Sequence, residues 1–170
     1  MARKYLRNTF QEGSRIREGQ KYSLGVGPKV GATAGWAVAA ASNVGRMATC
    51  PASQTASTLV VQLAGLRVGN IITGFHGVGQ IESAGGTVTL DIELRKLTAA
   101  AADLTDATVQ GITQLSVTAD TIISATNARR VLTTPQTVAA NERYYLLLTA
   151  TTAAATDIDL MDVLVEVDEQ

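Results

Sequence analysis

Apolar and polar residues alternate in short runs over most of this 170-residue chain, and period two predicts β-strands. The clearest run is Thr87–Leu97. Val88, Leu90, Ile92 and Leu94 share one parity, while Thr87, Thr89, Asp91, Glu93 and Arg95 share the other. Such a strand is half-buried and belongs in an antiparallel sheet. Ser57–Ala64 places Leu59, Val61 and Leu63 in the same rhythm, and Asn70–Ser83 places Ile71, Thr73, Phe75 and Ile81 on one side. Gly74, Gly77 and Gly79 within that second run bend the strand or admit a close neighbour. Ala84-Gly85-Gly86 is a turn signal and predicts that Thr87–Leu97 returns as a hairpin. Ile158–Val167 alternates as Ile158 and Leu160, then as Val163, Val165 and Val167, a change of parity that predicts a β-bulge at Met161–Asp162.

Weaker strand signals lie at Gly31–Ala41 around Trp36, with a short helix at Trp36–Ala41 as the alternative, and at Ile112–Ala119, Thr121–Ala125 and Arg130–Thr133. The apolar run Arg143–Thr151 is a further strand. Tyr144 and Tyr145 have opposite parity there, so one is expected inside and the other at a surface. Ser42–Ser57, Thr98–Thr108 and Pro135–Asn141 read as loops or connections, the middle one with room for a helical turn. Eight or so short strands between Gly, Pro and Asn turns predict an all-β, antiparallel β-sandwich or jelly-roll-like body over residues 31–170.

Residues 1–30 break the pattern. Gly13, Gly19, Gly25, Gly27 and Pro28 interrupt every run, and the segment reads as an extended arm that adapts to a surface. Charge separates it from the body. The arm carries seven basic and two acidic side chains, a net of +5, and the remainder has seven basic and thirteen acidic, a net of −6. Its residues Arg3, Lys4, Tyr5, Arg7, Phe10, Arg15, Arg17 and Tyr22 are the expected partner contacts, cations for acidic patches and aromatics as anchors. The modest charge and acidic body argue against nucleic acid as that partner. Aromatic content of only 4% leaves a thin core of Ala, Thr, Val and Gly, which gains from burying surface against another subunit. Trp36, Tyr144 and Tyr145 are the candidates for such an interface.

Candidate chemistry is sparse. His76 is the single histidine and has no nucleophile motif beside it, so a surface or interface role on a strand face is the expectation. Gly25–Gly31 and Gly74–Gly79 lack the GxxxxGK[ST] pattern of a phosphate loop. Asp157 and Asp159 share a strand side, a weak calcium signal without EF-hand spacing beside the plainer reading of a solvated acidic face. Cys50 is the lone cysteine, excluding an internal disulfide or a cysteine-based zinc site. The start of the chain is charged and no apolar run reaches 18 residues, so neither a signal peptide nor a membrane span is expected, and synthesis in a reducing cytoplasm is the simple reading. No enzyme activity, cofactor or metal is expected.

The segments Val78–Thr98, Ile112–Asp120 and Thr149–Asp159 together resemble structural proteins of tailed bacteriophages, most closely the small capsid decoration, or cement, proteins. The resemblance covers roughly residues 69–167 and lies in texture and segment order. It implies a β-sandwich that trimerises on the capsid exterior, binds the major capsid protein and ties neighbouring capsomers with a terminal arm. The family has no catalytic residues to carry over. The alternative is a tail-fibre, spike or head-fibre module binding host carbohydrate through Trp36, Tyr144 or Tyr145.

Overall fold

A computed structural model describes residues 20–23, 35–38, 48–63, 65–111 and 114–168. Among these residues every regular element is a strand, and two antiparallel sheets pack as a sandwich. The first sheet contains β1 (Gln20–Ser23), β2 (Ala37–Val38), β3 (Ala48–Cys50), β5 (Ile71–Ser83), β9 (Thr121–Ile123), β10 (Arg129–Thr137) and β12 (Thr156–Asp168). The second contains β4 (Ser57–Gln62), β6 (Val88–Ala100), β7 (Asp103–Gly111), β8 (Leu115–Val117) and β11 (Glu142–Thr151). Strand order is β10-β5-β12-β3-β2 in the first sheet, with β9 also on β5 and β1 also on β12. In the second it is β4-β11-β6-β7, with β8 also on β6.

The alternating runs supply the core. Val88, Leu90, Ile92 and Leu94 of β6 and Leu146, Leu148 and Ala150 of β11 are fully buried, in register as the pairs Leu94–Leu146, Ile92–Leu148 and Leu90–Ala150. Across the sandwich they meet Phe75 and Ile81 of β5 and Ile158, Leu160, Val163 and Val165 of β12. Gly77 permits this approach, because a Cβ there would lie 3.0 Å from Ile92 Cδ1. The bulge expected in the last strand is present. Pairing with β5 slips between Leu160 and Asp162, leaving Met161 53% exposed while Leu160 and Val163 both face inward.

Several expectations are corrected. Ala84-Gly85-Gly86 does not close a hairpin. Gly85, at φ 104°, turns the chain from the first sheet into the second, so β5 and β6 face each other across the core. Alternation records that one face of a strand is buried and leaves the lateral partner open. Along β5 a second slip opposite Glu166–Val167 puts Ile72 and Phe75, rather than Ile71 and Thr73, in the core. Thr98–Thr108 is the distal half of the β6–β7 ribbon, with Thr98 opposite Thr105 and Ala100 opposite Asp103. Its residues are exposed on both faces from Asp103 to Thr108, so no burial imposed a period on them. Residues 48–50 within Ser42–Ser57 form β3, and β10 runs through Pro135, in a stretch where its pairing with β5 slips.

Gln20–Ser23 also departs from a reading without strands in the arm: it pairs antiparallel with β12, Lys21 opposite Glu166 and Ser23 opposite Leu164. The other arm residues singled out above, Arg3, Lys4, Tyr5, Arg7, Phe10, Arg15 and Arg17, lie outside the described residues.

Candidate functional site: the outward faces of the two sheets

Two polar clusters stand on the outward faces, one per sheet. On the first sheet, Glu166 of β12 lies opposite Gly74 of β5, which lies opposite Val131 of β10. One step along, Leu164 faces His76 and His76 faces Arg129. Arg129 reaches diagonally to Glu166, donating from Nε to Oε1 at 2.7 Å and from Nη2 to Oε2 at 2.6 Å. This bidentate pair raises the Arg129 pKa further. Gly74 makes room for it, since a Cβ there would stand 2.8 Å from the Arg130 carbonyl and 2.9 Å from Glu166 Oε2. His76 Nδ1 lies 3.9 Å from Glu166 Oε1. His76 is on the outward face, as its parity requires, yet it is only 2% exposed, which corrects the expectation of a surface histidine.

The acidic row continues along β12. Asp162 pairs with Val78, Asp159 with Gln80 and Asp157 with Glu82. Thr49 donates to Asp159 Oδ1 at 2.8 Å from the neighbouring β3. Gln80, Glu82, Ser83, Ala84, Asp120 and Ala155 line an open hollow of about 480 Å³ at the end of this row. Among the described residues no three His, Cys, Asp or Glu side chains are grouped to hold a metal ion.

On the second sheet, Arg95 of β6 organises its neighbours from β7 and β11. Its Nη2 donates to Asp106 Oδ2 and its Nη1 to Glu93 Oε2, both at 3.1 Å, and Nε donates to the Tyr145 hydroxyl at 2.9 Å. Tyr145 donates in turn to Asp106 at 2.8 Å. The Arg95 guanidinium, helped by that hydroxyl, holds the Asp106 carboxyl below its ordinary range. Burial, then hydrogen bonding to Asp106, raises the Tyr145 phenol. At the rim, Lys96 Nζ donates to Glu142 Oε1 at 2.7 Å and Tyr144 donates to Glu142 Oε2 at 2.9 Å. Burial works against ionisation of Glu142, but the hydrogen bonds from Lys96, Tyr144 and the Ala139 amide prevail and its pKa is lowered.

The aromatic candidates separate as their parities foretold. Tyr144 is buried and Tyr145 is half-buried within the outward cluster. Trp36, expected at an interface, is instead a core residue, 5% exposed, donating from Nε1 to the Ser57 carbonyl at 3.0 Å. Tyr22 lies in β1, one residue from the Lys21–Glu166 position. Cys50 is enclosed in the core, and burial pushes its thiol pKa up to about 11. Sequence reasoning missed the roles of Arg129, Glu166 and Asp106. The last two were legible as polar positions, but their partners come from segments 37 and 11 residues away.

These arrangements are charges paired with one another across the strands of each sheet. Among the described residues no helix is long and apolar enough to cross a membrane. Comparison with protein-family models, with curated proteins and with solved structures gave no match.

Proposed function

We propose that this chain is a structural virion protein without enzymatic activity, a decoration protein that binds the major capsid protein of a tailed bacteriophage as an oligomer, a trimer by the resemblance described above. The observation that carries this reading is the β6–β7 ribbon. From Asp103 to Thr108 it has no core beneath either face, and Leu104 near its tip is 66% exposed. Beyond the Glu142–Thr98 pair, where β11 begins, residues 99–104 form a two-stranded tip, and such a tip without a packed face is marginally stable in water and gains most from burial against a partner. The core itself is built of large side chains, Leu90, Ile92, Leu146, Ile158 and Phe75 among them, rather than of the small residues expected, so the need for a partner lies in the ribbon tip. Stabilisation of the shell then comes from area buried across subunit boundaries, repeated around a symmetry axis. Trp36 and Tyr144 are both buried, so they supply no stacking platform for a carbohydrate.

The test combines solution mass with binding to purified capsids. An oligomer that cosediments with capsids and raises their resistance to heat is the expected result. A strict monomer that binds no capsid overturns the proposal.

A further inference from the structure

We infer that β7, the free edge of the second sheet, is where two copies of this chain pair, strand against strand, about a two-fold axis through Thr105. The inference rests on the self-association included in the function proposed above and names its contact. It concerns pairs of chains and holds whether or not each chain also sits in a three-fold ring.

The sheet edges are not alike. An open edge offers unpaired amides and carbonyls to any other strand, and edges that stay alone carry Pro, irregular pairing, extreme shortness or a cover. β10 has Pro135 and a slip in its pairing between Val131 and Gln136. β2 is two residues long, and β4 begins under Trp36, which donates to the Ser57 carbonyl. β7 ends the order β4-β11-β6-β7, and among the described residues no strand pairs with its outer side. From Asp103 to Thr108 it is exposed on both faces, pairs evenly with β6 and contains no Pro, Lys or Arg. Of its two carboxylates, Asp106 is already held by Arg95 and Tyr145.

A second copy fits this edge in one register. In a symmetric antiparallel pair the axis passes through a residue that lies opposite itself, and like faces stay on one side. Gln110 is tied to Thr133 of β10, accepting from its amide at 2.9 Å and donating to its hydroxyl at 3.3 Å, so the free edge stops short of it. The middle of Asp103–Thr108 falls between Thr105 and Asp106. An axis at Asp106 sets two carboxylates face to face, which is destabilising. An axis at Thr105 sets Thr against Thr, a favourable pair, with Asp103 opposite Ala107 and Asp106 opposite Leu104 of the other copy. No carboxylate lies directly opposite another. The two Leu104 side chains, each 66% exposed in the single chain, come within diagonal reach across the axis. The second sheet runs on into its copy, and each ribbon tip gains the third strand it lacks.

The variants Thr105→Cys, Asp103→Cys and Ala107→Cys of the full-length protein test this, oxidised with copper–phenanthroline and read on a non-reducing denaturing gel. All three positions are exposed and Cys50 is buried, so the introduced thiol is the one presented to the oxidant. Residues directly opposite have Cβ atoms about 4.5–5.5 Å apart, near what a disulfide spans, whereas residues 103 and 107 stand about 14 Å from their own copies. Thr105→Cys should therefore form covalent dimer about tenfold faster than either other variant. Thr105→Lys, which sets two cations face to face, should raise the dissociation constant of the pair about fivefold in sedimentation equilibrium. Equal rates in the three cysteine variants, or no cross-link in Thr105→Cys, overturn the inference, as does Thr105→Lys associating like the native protein. No capsid enters these measurements. A protein that binds capsids without the Thr105→Cys cross-link ends this inference alone, and the expected cross-link in a protein that binds no capsid ends the decoration reading alone.

Discussion

Gly74 is the residue on which the first outward cluster turns. Its missing Cβ is space occupied by the Arg130 carbonyl and the Glu166 carboxylate. Gly74→Ala should cost about 1–3 kcal/mol through backbone shift and loss of the Arg129 geometry, read as a lower midpoint in urea. Cys50 gives a second check at this scale. With its thiol enclosed and its pKa pushed up to about 11, it should react with a thiol reagent at pH 8 only as the protein unfolds. Rapid labelling of the folded protein would contradict the packing around it.

The paired carboxylates set an acid limit. Asp106 and Glu142 both have pKa values below their ordinary ones in the folded state. Their contribution is therefore complete above the unfolded values of about 3.9 and 4.3 and is lost as pH falls through the lower folded values. Asp91, raised first by burial and then by Glu93, acts in the opposite direction and offsets part of the loss. Urea unfolding at pH 7 and at about pH 3 should show the decline, and Asp106→Asn should flatten it.

At the scale of elements, strands with one buried face were legible in the sequence, because burial writes itself as period two. β4, β6 and the bulged β12 were readable this way, and β11 as an apolar run. The β6–β7 ribbon was not, because residues 103–108 face water on both sides and carry no alternation. The crossing at Gly85 was equally hidden, since the same pattern suits a hairpin and an arch between sheets. Of the candidate surfaces, the charged parity of β6 was visible, but its partner Asp106 sat in a stretch that resembled a connection. Two substitutions separate core from ribbon. Leu146→Ala removes a side chain packed in register between Val61 and Leu94 and should cost about 2–5 kcal/mol. Replacing residues 99–104 by Asn-Gly closes the ribbon at the Thr98–Thr105 pair. That variant should keep the thermal midpoint within a few degrees while losing self-association and capsid binding. If association survives, the ribbon is not the contact surface.

Across the whole molecule, the connections matter as much as the layers. The chain passes from the first sheet to the second and back repeatedly, and neither sheet is continuous in sequence. β12 lies between β5 and β3, in the middle of the first sheet, although Thr156–Asp168 is its last strand to be made. Its pairing joins Ser83 to Thr156 and Ile71 to Asp168, contacts that close very long loops. Contacts of such separation place refolding in the millisecond-to-second range. During synthesis, β5 waits with one flank unpaired until β12 emerges. The nascent chain thus holds its stickiest edges open for the whole interval, so expression yield should depend on temperature and on chaperone supply more steeply than the stability of the finished sandwich would suggest.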